Sequence, residues 1–152
     1  VSERHFTVAE AQAMLPEIGR AMDEIAALRD ALQRRVDRIK ILDALWGAAV
    51  REPGNPDREE FLTERAAVRR TLREIERIVE TRIVAQGVRF PEGGLEHGLV
   101  DFPTWFQGRT VYLCWQRGES SILAWHEVDG GFKGRRPLTP EQARLMGRDR
   151  GN

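Results

Sequence analysis

A single cysteine, Cys114, stands alone in 152 residues, so no intrachain disulfide can staple the fold, and a reducing compartment, the cytoplasm, is expected. Charge of one sign is missing too. The 24 basic side chains balance 24 acidic ones, leaving no net field to draw nucleic acid or an anionic membrane, so neither is an expected partner. No apolar run approaches the ~20 residues of a membrane-spanning helix, and the opening Val1-Ser2-Glu3-Arg4 leads into no apolar core of the signal-peptide kind. Nor is any motif of known catalytic mechanism legible. Aromatic residues are scarce at 7%, yet most of them crowd between Val88 and Phe132, with Cys114 and two of the three histidines. That segment is the place to look for a site.

A chain of this length fits one domain, residues 1–152, able to bury roughly two thirds of its unfolded surface. Residues 7–87 read as helical. Thr7-Val8-Ala9-Glu10 is a capping box, in which the Thr hydroxyl and the Glu carboxylate each satisfy the other's backbone amide, so a helix should start at Val8. Pro16 predicts a kink or restart, because it deletes a donor and crowds the preceding turn. Ile18, Ile25, Leu32, Ile39 and Trp46 then recur every seven residues, flanked by Met22, Leu28, Val36 and Leu42, a stripe broad enough to touch more than one neighbour. Pro53-Gly54-Asn55-Pro56 makes a loop, and Asp57-Arg58-Glu59-Glu60 caps a second helix carrying Phe61, Val68, Leu72, Ile75, Val79 and Ile83, with Gly87 closing it. At 1.5 Å per residue each arm is about 45 Å long. The arginines Arg34, Arg35, Arg69 and Arg70 are interleaved with Asp37, Glu64, Glu74 and Glu76, which marks a solvated face of ion pairs rather than a nucleic-acid stripe.

After Gly87 the period changes from 3.6 to 2, and residues 88–132 read as a β-meander. Arg109–Gln116 and Ser121–Val128 are strands joined at Gly118, and a two-residue turn there predicts Trp115 opposite Ile122 and Val111 opposite His126. That register puts Cys114 and Asp101 on the face away from His126. Leu99–Phe106 adds a third strand through Gln107-Gly108, with Pro103 confining it to an edge or a bulge. Both faces of the ribbon are largely apolar, so each needs a cover: the helical hairpin on one, and a second copy of the chain or the C-terminal segment on the other. Residues 133–152 form a basic loop and a short helix capped at Thr139-Pro140-Glu141-Gln142.

Asp101, Cys114, Glu119, Trp125 and His126 are the candidate ligand-binding residues, and His126 with Asp101 is the candidate pair for a divalent metal, since zinc and iron sites combine imidazole with carboxylate. His97 and Asp101 lie four positions apart, about 13 Å along a strand, too far to share an ion. Cys114 as a nucleophile with His126 as its base requires contact that the expected register denies. In mid-strand between Leu113 and Trp115 the thiol reads as a small buried hydrophobe, and no catalytic residue is assigned. Trp105, Trp115 and Trp125 could stack a ligand, but aromatics on paired strands ordinarily build core.

Phe6-Thr7-Val8-Ala9-Glu10-Ala11 with Leu15-Pro16, Gly98-Leu99-Val100-Asp101-Phe102-Pro103, Tyr112-Leu113-Cys114-Trp115 with Gly118-Glu119, and Trp125-His126 before Gly131-Phe132 together resemble the bacterial family known as domain of unknown function 2203. The resemblance spans nearly the whole chain and implies a small soluble bacterial protein with no activity to carry over. The expectation is an α+β fold, a long antiparallel α-helical hairpin packed on a small antiparallel β-meander with a short C-terminal helix. The function expected first is a non-enzymatic interaction or scaffold module that forms a homodimer; the alternative is a metal- or small-ligand-binding protein with its site around His126 and Asp101.

Overall fold

The computed structural model describes residues 3–148. Helix α1 runs from Val8 to Trp46, and its start is the reciprocal box: Glu10 N donates to Thr7 Oγ1 at 3.1 Å and Thr7 N donates to Glu10 Oε1 at 2.9 Å. Pro16 does not restart the helix, which passes through it unbroken. The ring removes a single donor, while Leu15 and Ile18 beside it are buried and hold the turn.

A 3₁₀ turn, Gly47–Arg51, leads to helix α2, Arg58–Ile78. Asp57 stands at the N-cap position but does not cap; its carboxylate accepts from Trp46 Nε1 at 2.8 Å, and Asn55 organises the turn by donating to Ala49 O and accepting from Asp57 N. Past Ile78 the backbone widens into a π turn, Val79–Ile83, tightens over Val84–Gln86 and stops at Gly87, whose φ of +89° suits glycine alone. Among the described residues no helix is long and apolar enough to cross a membrane.

The chain divides into two compact units, Asp23–Val79 and Val1–Met22 with Glu80–Asn152, of which the described parts of the second are residues 3–22 and 80–148. The Asp23–Val79 unit is the helical hairpin. Ion pairs Arg35–Glu64 at 3.2 Å and Arg38–Glu60 at 2.7 Å match rising numbers on one arm with falling numbers on the other, which makes the arms antiparallel. Leu42, Val50 and Phe61 bury together with Ile39 packed against them, and Ile25, Ala67, Ile75 and Ile78 are buried along the arms. Leu72, expected in the apolar stripe, is exposed.

The other unit holds a four-stranded antiparallel sheet in the order β1 (Leu99–Phe106), β2 (Arg109–Gln116), β3 (Ala124–Glu127), β4 (Arg136–Pro137). Pro103 sits in β1 at the sheet edge without a bulge, and its carbonyl accepts from Phe6 N at 2.7 Å. The short helices α3 (Gly94–His97) and α4 (Pro140–Leu145) complete the unit, the latter started by a Thr139/Gln142 capping box.

The β2–β3 register differs from the expected one by a single residue: Val111 faces Glu127, Tyr112 faces His126, Leu113 faces Trp125 and Cys114 faces Ala124. Gly118 opens a longer connection rather than a two-residue turn. Glu119 anchors that connection, its carboxylate accepting from Gln116 N at 2.7 Å and its carbonyl from Trp115 Nε1 at 3.0 Å, while Gln12 captures Ile122 N at 3.0 Å. Because side chains alternate with period 2, one residue of slip exchanges the faces of the whole strand. One face therefore carries Val100, Phe102, Val111, Leu113, Trp115 and Trp125, and the other Leu99, Asp101, Tyr112, Cys114, Ala124 and His126. All twelve are buried within the single chain. The chain covers both sides of its own sheet, so the sheet itself makes no demand for a second copy.

Candidate metal centre

The corrected register brings Asp101, Cys114 and His126 together. Asp101 in β1 lies directly opposite Cys114 in β2, and His126 in β3 lies opposite Tyr112, one pleat away from Cys114 on the same face. One ligand atom from each of the three falls within 4.8 Å of the others. None reaches water: Asp101 is 0% exposed, Cys114 1% and His126 1%.

Hydrogen bonds fix the orientation of the imidazole. The Glu127 carbonyl lies 2.7 Å from His126 Nδ1, and a carbonyl can only accept, so Nδ1 carries hydrogen. Nε2 then faces Asp101 Oδ1 at 3.0 Å. Burial pushes the His126 imidazole down, but hydrogen bonds with Asp101, Cys114 and the Glu127 carbonyl, together with the Asp101 charge, outweigh it and hold the ring protonated, with a pKa of about 10. The second carboxylate oxygen, Asp101 Oδ2, is buried without a hydrogen-bond donor. The Arg89 Nε stands 3.7 Å from it, beyond hydrogen-bonding distance.

Cys114 and His126 do not form a nucleophile–base pair oriented by a carboxylate. Such a triad uses one ring nitrogen for the carboxylate and the other for the thiol, whereas here the second nitrogen is committed to the Glu127 carbonyl. A metal makes different demands. Histidine ligands characteristically donate their distal N–H to a backbone carbonyl or carboxylate, which is the bond that Nδ1 makes. Ligands on a tetrahedral ion at ~2.0–2.3 Å stand roughly 3.3–3.7 Å apart; the three ligand atoms here lie within 4.8 Å of one another, with Asp101 Oδ1 and His126 Nε2 at 3.0 Å.

The remaining candidates lie elsewhere. Glu119 is bound to Arg135, with Nη2 2.8 Å from Oε1, in the β2–β3 connection. Trp125 is on the opposite face, buried against Phe106 at 5.6 Å between ring centroids, with the Arg136 guanidinium 5.0 Å from its own ring. His97 ends α3 and is exposed. Sequence reasoning missed Arg89 and Tyr112. Arg89 exchanges backbone hydrogen bonds with Asp101, and its guanidinium lies 4.2 Å over the Tyr112 ring while Nη1 donates to Tyr112 Oη at 2.8 Å. The alternation Val88-Arg89-Phe90 just after Gly87 is the signal that marks this extra pairing.

The family described as Uncharacterized conserved protein (DUF2203) matches residues 4–138, a span containing every residue of the cluster. No curated protein and no solved structure matches the chain.

Proposed function

The chain belongs to the DUF2203 family of uncharacterised conserved proteins, and we propose that it is a metal-binding protein holding one divalent ion of the zinc type on Asp101, Cys114 and His126. The convergence of three buried ligand types from three adjacent strands supports this reading. Thiolate and imidazole favour zinc-like ions over magnesium or calcium, which prefer all-oxygen sets. In the metal-free protein the Nε2 proton occupies the space that the ion takes, and binding expels it along with the thiol proton. Three protein ligands leave a fourth coordination position, as in zinc sites open to a further ligand. A reduced thiol ligand suits the cytoplasm.

Metal analysis of protein purified without a histidine tag should give close to one equivalent of zinc or a similar ion. Cys114→Ser and Asp101→Asn variants should fall well below it while keeping their far-ultraviolet circular dichroism. Equal metal content in wild type and both variants, or none in any of them, would sink the assignment.

Self-association is the second reading. Ile41, Leu45, Trp46 and Leu62 of the hairpin are exposed, and uncovered apolar side chains on a helical pair favour a protein interaction, here with another copy. Light scattering at micromolar concentration should then report twice the chain mass, reverting to one chain in an Ile41→Glu/Leu45→Glu variant. A wild-type monomer would remove this reading and leave the metal site untouched.

A further inference from the structure

Arg89 connects the buried cluster to water. Its side chain is 43% exposed while the Asp101 carboxylate it approaches is 0% exposed. The main chain of Arg89 is fixed by two hydrogen bonds with Asp101, at 3.0 and 2.8 Å, so the sheet rather than its charge sets its position. The guanidinium rests on Tyr112, Nη1 to Oη at 2.8 Å. Its other N–H groups meet no acceptor within hydrogen-bonding distance among the described residues, and Asp101 Oδ2 likewise lacks a donor.

On the metal reading proposed above, the site and Arg89 together carry an excess positive charge. A divalent ion, the Asp101 carboxylate, a Cys114 thiolate and a neutral His126 together carry no net charge, and Arg89 adds one positive charge beside them. The fourth coordination position is still open, and the guanidinium stands 3.7 Å from the carboxylate that would hold the ion. A monoanion would fill that position and pair with the guanidinium. Hydroxide would fill the position but present a single oxygen, whereas the planar guanidinium fork pairs with two oxygens of a carboxylate group. We propose that the fourth ligand is a small planar oxyanion, a carboxylate or bicarbonate, bound between the metal ion and the Arg89 guanidinium, with Tyr112 as the positioning residue that holds the guanidinium in place.

Cobalt(II) substituted for the native ion provides the test, because its thiolate absorption reports loading and its visible bands report the fourth ligand. Acetate and bicarbonate are titrated separately into the cobalt-loaded protein, and the anion that shifts the bands saturably identifies the source. Arg89→Gln keeps the main-chain pairing and should still load cobalt while binding the anion about tenfold or more weakly, the loss of a charge-assisted bidentate contact. Tyr112→Phe should weaken the anion less, by about threefold, through loss of one hydrogen bond. Cobalt loading with bands indifferent to both anions, or an Arg89→Gln variant equal to wild type, would overturn the inference and leave the metal assignment standing. Failure of the wild type to load cobalt would overturn the metal assignment, and this inference with it.

Discussion

The two units carry the same kind of interaction in opposite settings. In the hairpin, Arg38 and Glu60 pair at 2.7 Å with both side chains more than 40% exposed; in the sheet, His126 and Asp101 pair at 3.0 Å with both almost fully buried. The guanidinium–carboxylate hydrogen bonds raise the Arg38 pKa and lower that of Glu60, yet water can take either partner's place. No water can replace a partner lost from inside the sheet. Equal geometry therefore carries unequal consequence: a surface pair is dispensable, while a buried one must be complete or be replaced as a whole.

The sharpest way to break the comparison is to remove one buried partner. Asp101→Ala leaves the buried His126 Nε2 without its carboxylate partner and should cost about 3–5 kcal/mol, measured by urea denaturation of metal-free protein. A loss no greater than that of a surface variant would erase the distinction between the units. Leu42→Ala, in the hairpin core, should cost about 2–4 kcal/mol through a cavity beside Val50 and Phe61. Because α1 runs unbroken through both units, we propose that they unfold as one domain. Circular dichroism and tryptophan fluorescence should then shift together in Leu42→Ala, and separated transitions would divide the chain into two domains.

A pH series makes a smaller, continuous perturbation. His126 is raised in the folded state from 6.5 to about 10, so its contribution to the stability of metal-free protein is fully present below pH 6.5 and lost as pH rises through about 10. The groups facing it are Asp101, Cys114 and, through Asp101, Arg89. Denaturation midpoints should fall across that window, and an Asp101→Asn variant should fall less; identical slopes would detach the effect from this pair. The smallest change expected is in Arg38→Gln/Glu60→Gln, whose midpoint should coincide with wild type within experimental error.

The two units also differed in how much the sequence revealed. Helical periodicity survives errors of a residue or two, so Ile25, Leu42, Phe61 and Ile75 could be placed in the hairpin interior from spacing alone, and they are buried. The starts at Thr7 and Thr139 were legible because a capping box is a local pattern. The sheet forgives nothing of that kind. Its strands and the Gln107-Gly108 turn were readable, but the face of His126 depended on the length of one connection, which Gly118 suggested was shorter than it is. What lengthens it is contact from distant residues: Gln12 on Ile122, Arg135 on Glu119 and the Leu138 amide on the Leu123 carbonyl. No window of neighbouring residues contains that information. Asp101, Cys114 and His126 were all among the residues the sequence singled out, while the register that puts the three on one face stayed hidden.

The bond from His126 Nδ1 to the Glu127 carbonyl comes from the very next residue of the same strand. The ring is thus aimed by its own backbone, whether or not anything occupies the space beyond Nε2. A receptor oriented in advance loses little side-chain freedom when its guest arrives, so on the metal reading proposed above an ion would have to displace the Nε2 proton but would not have to re-aim the ring.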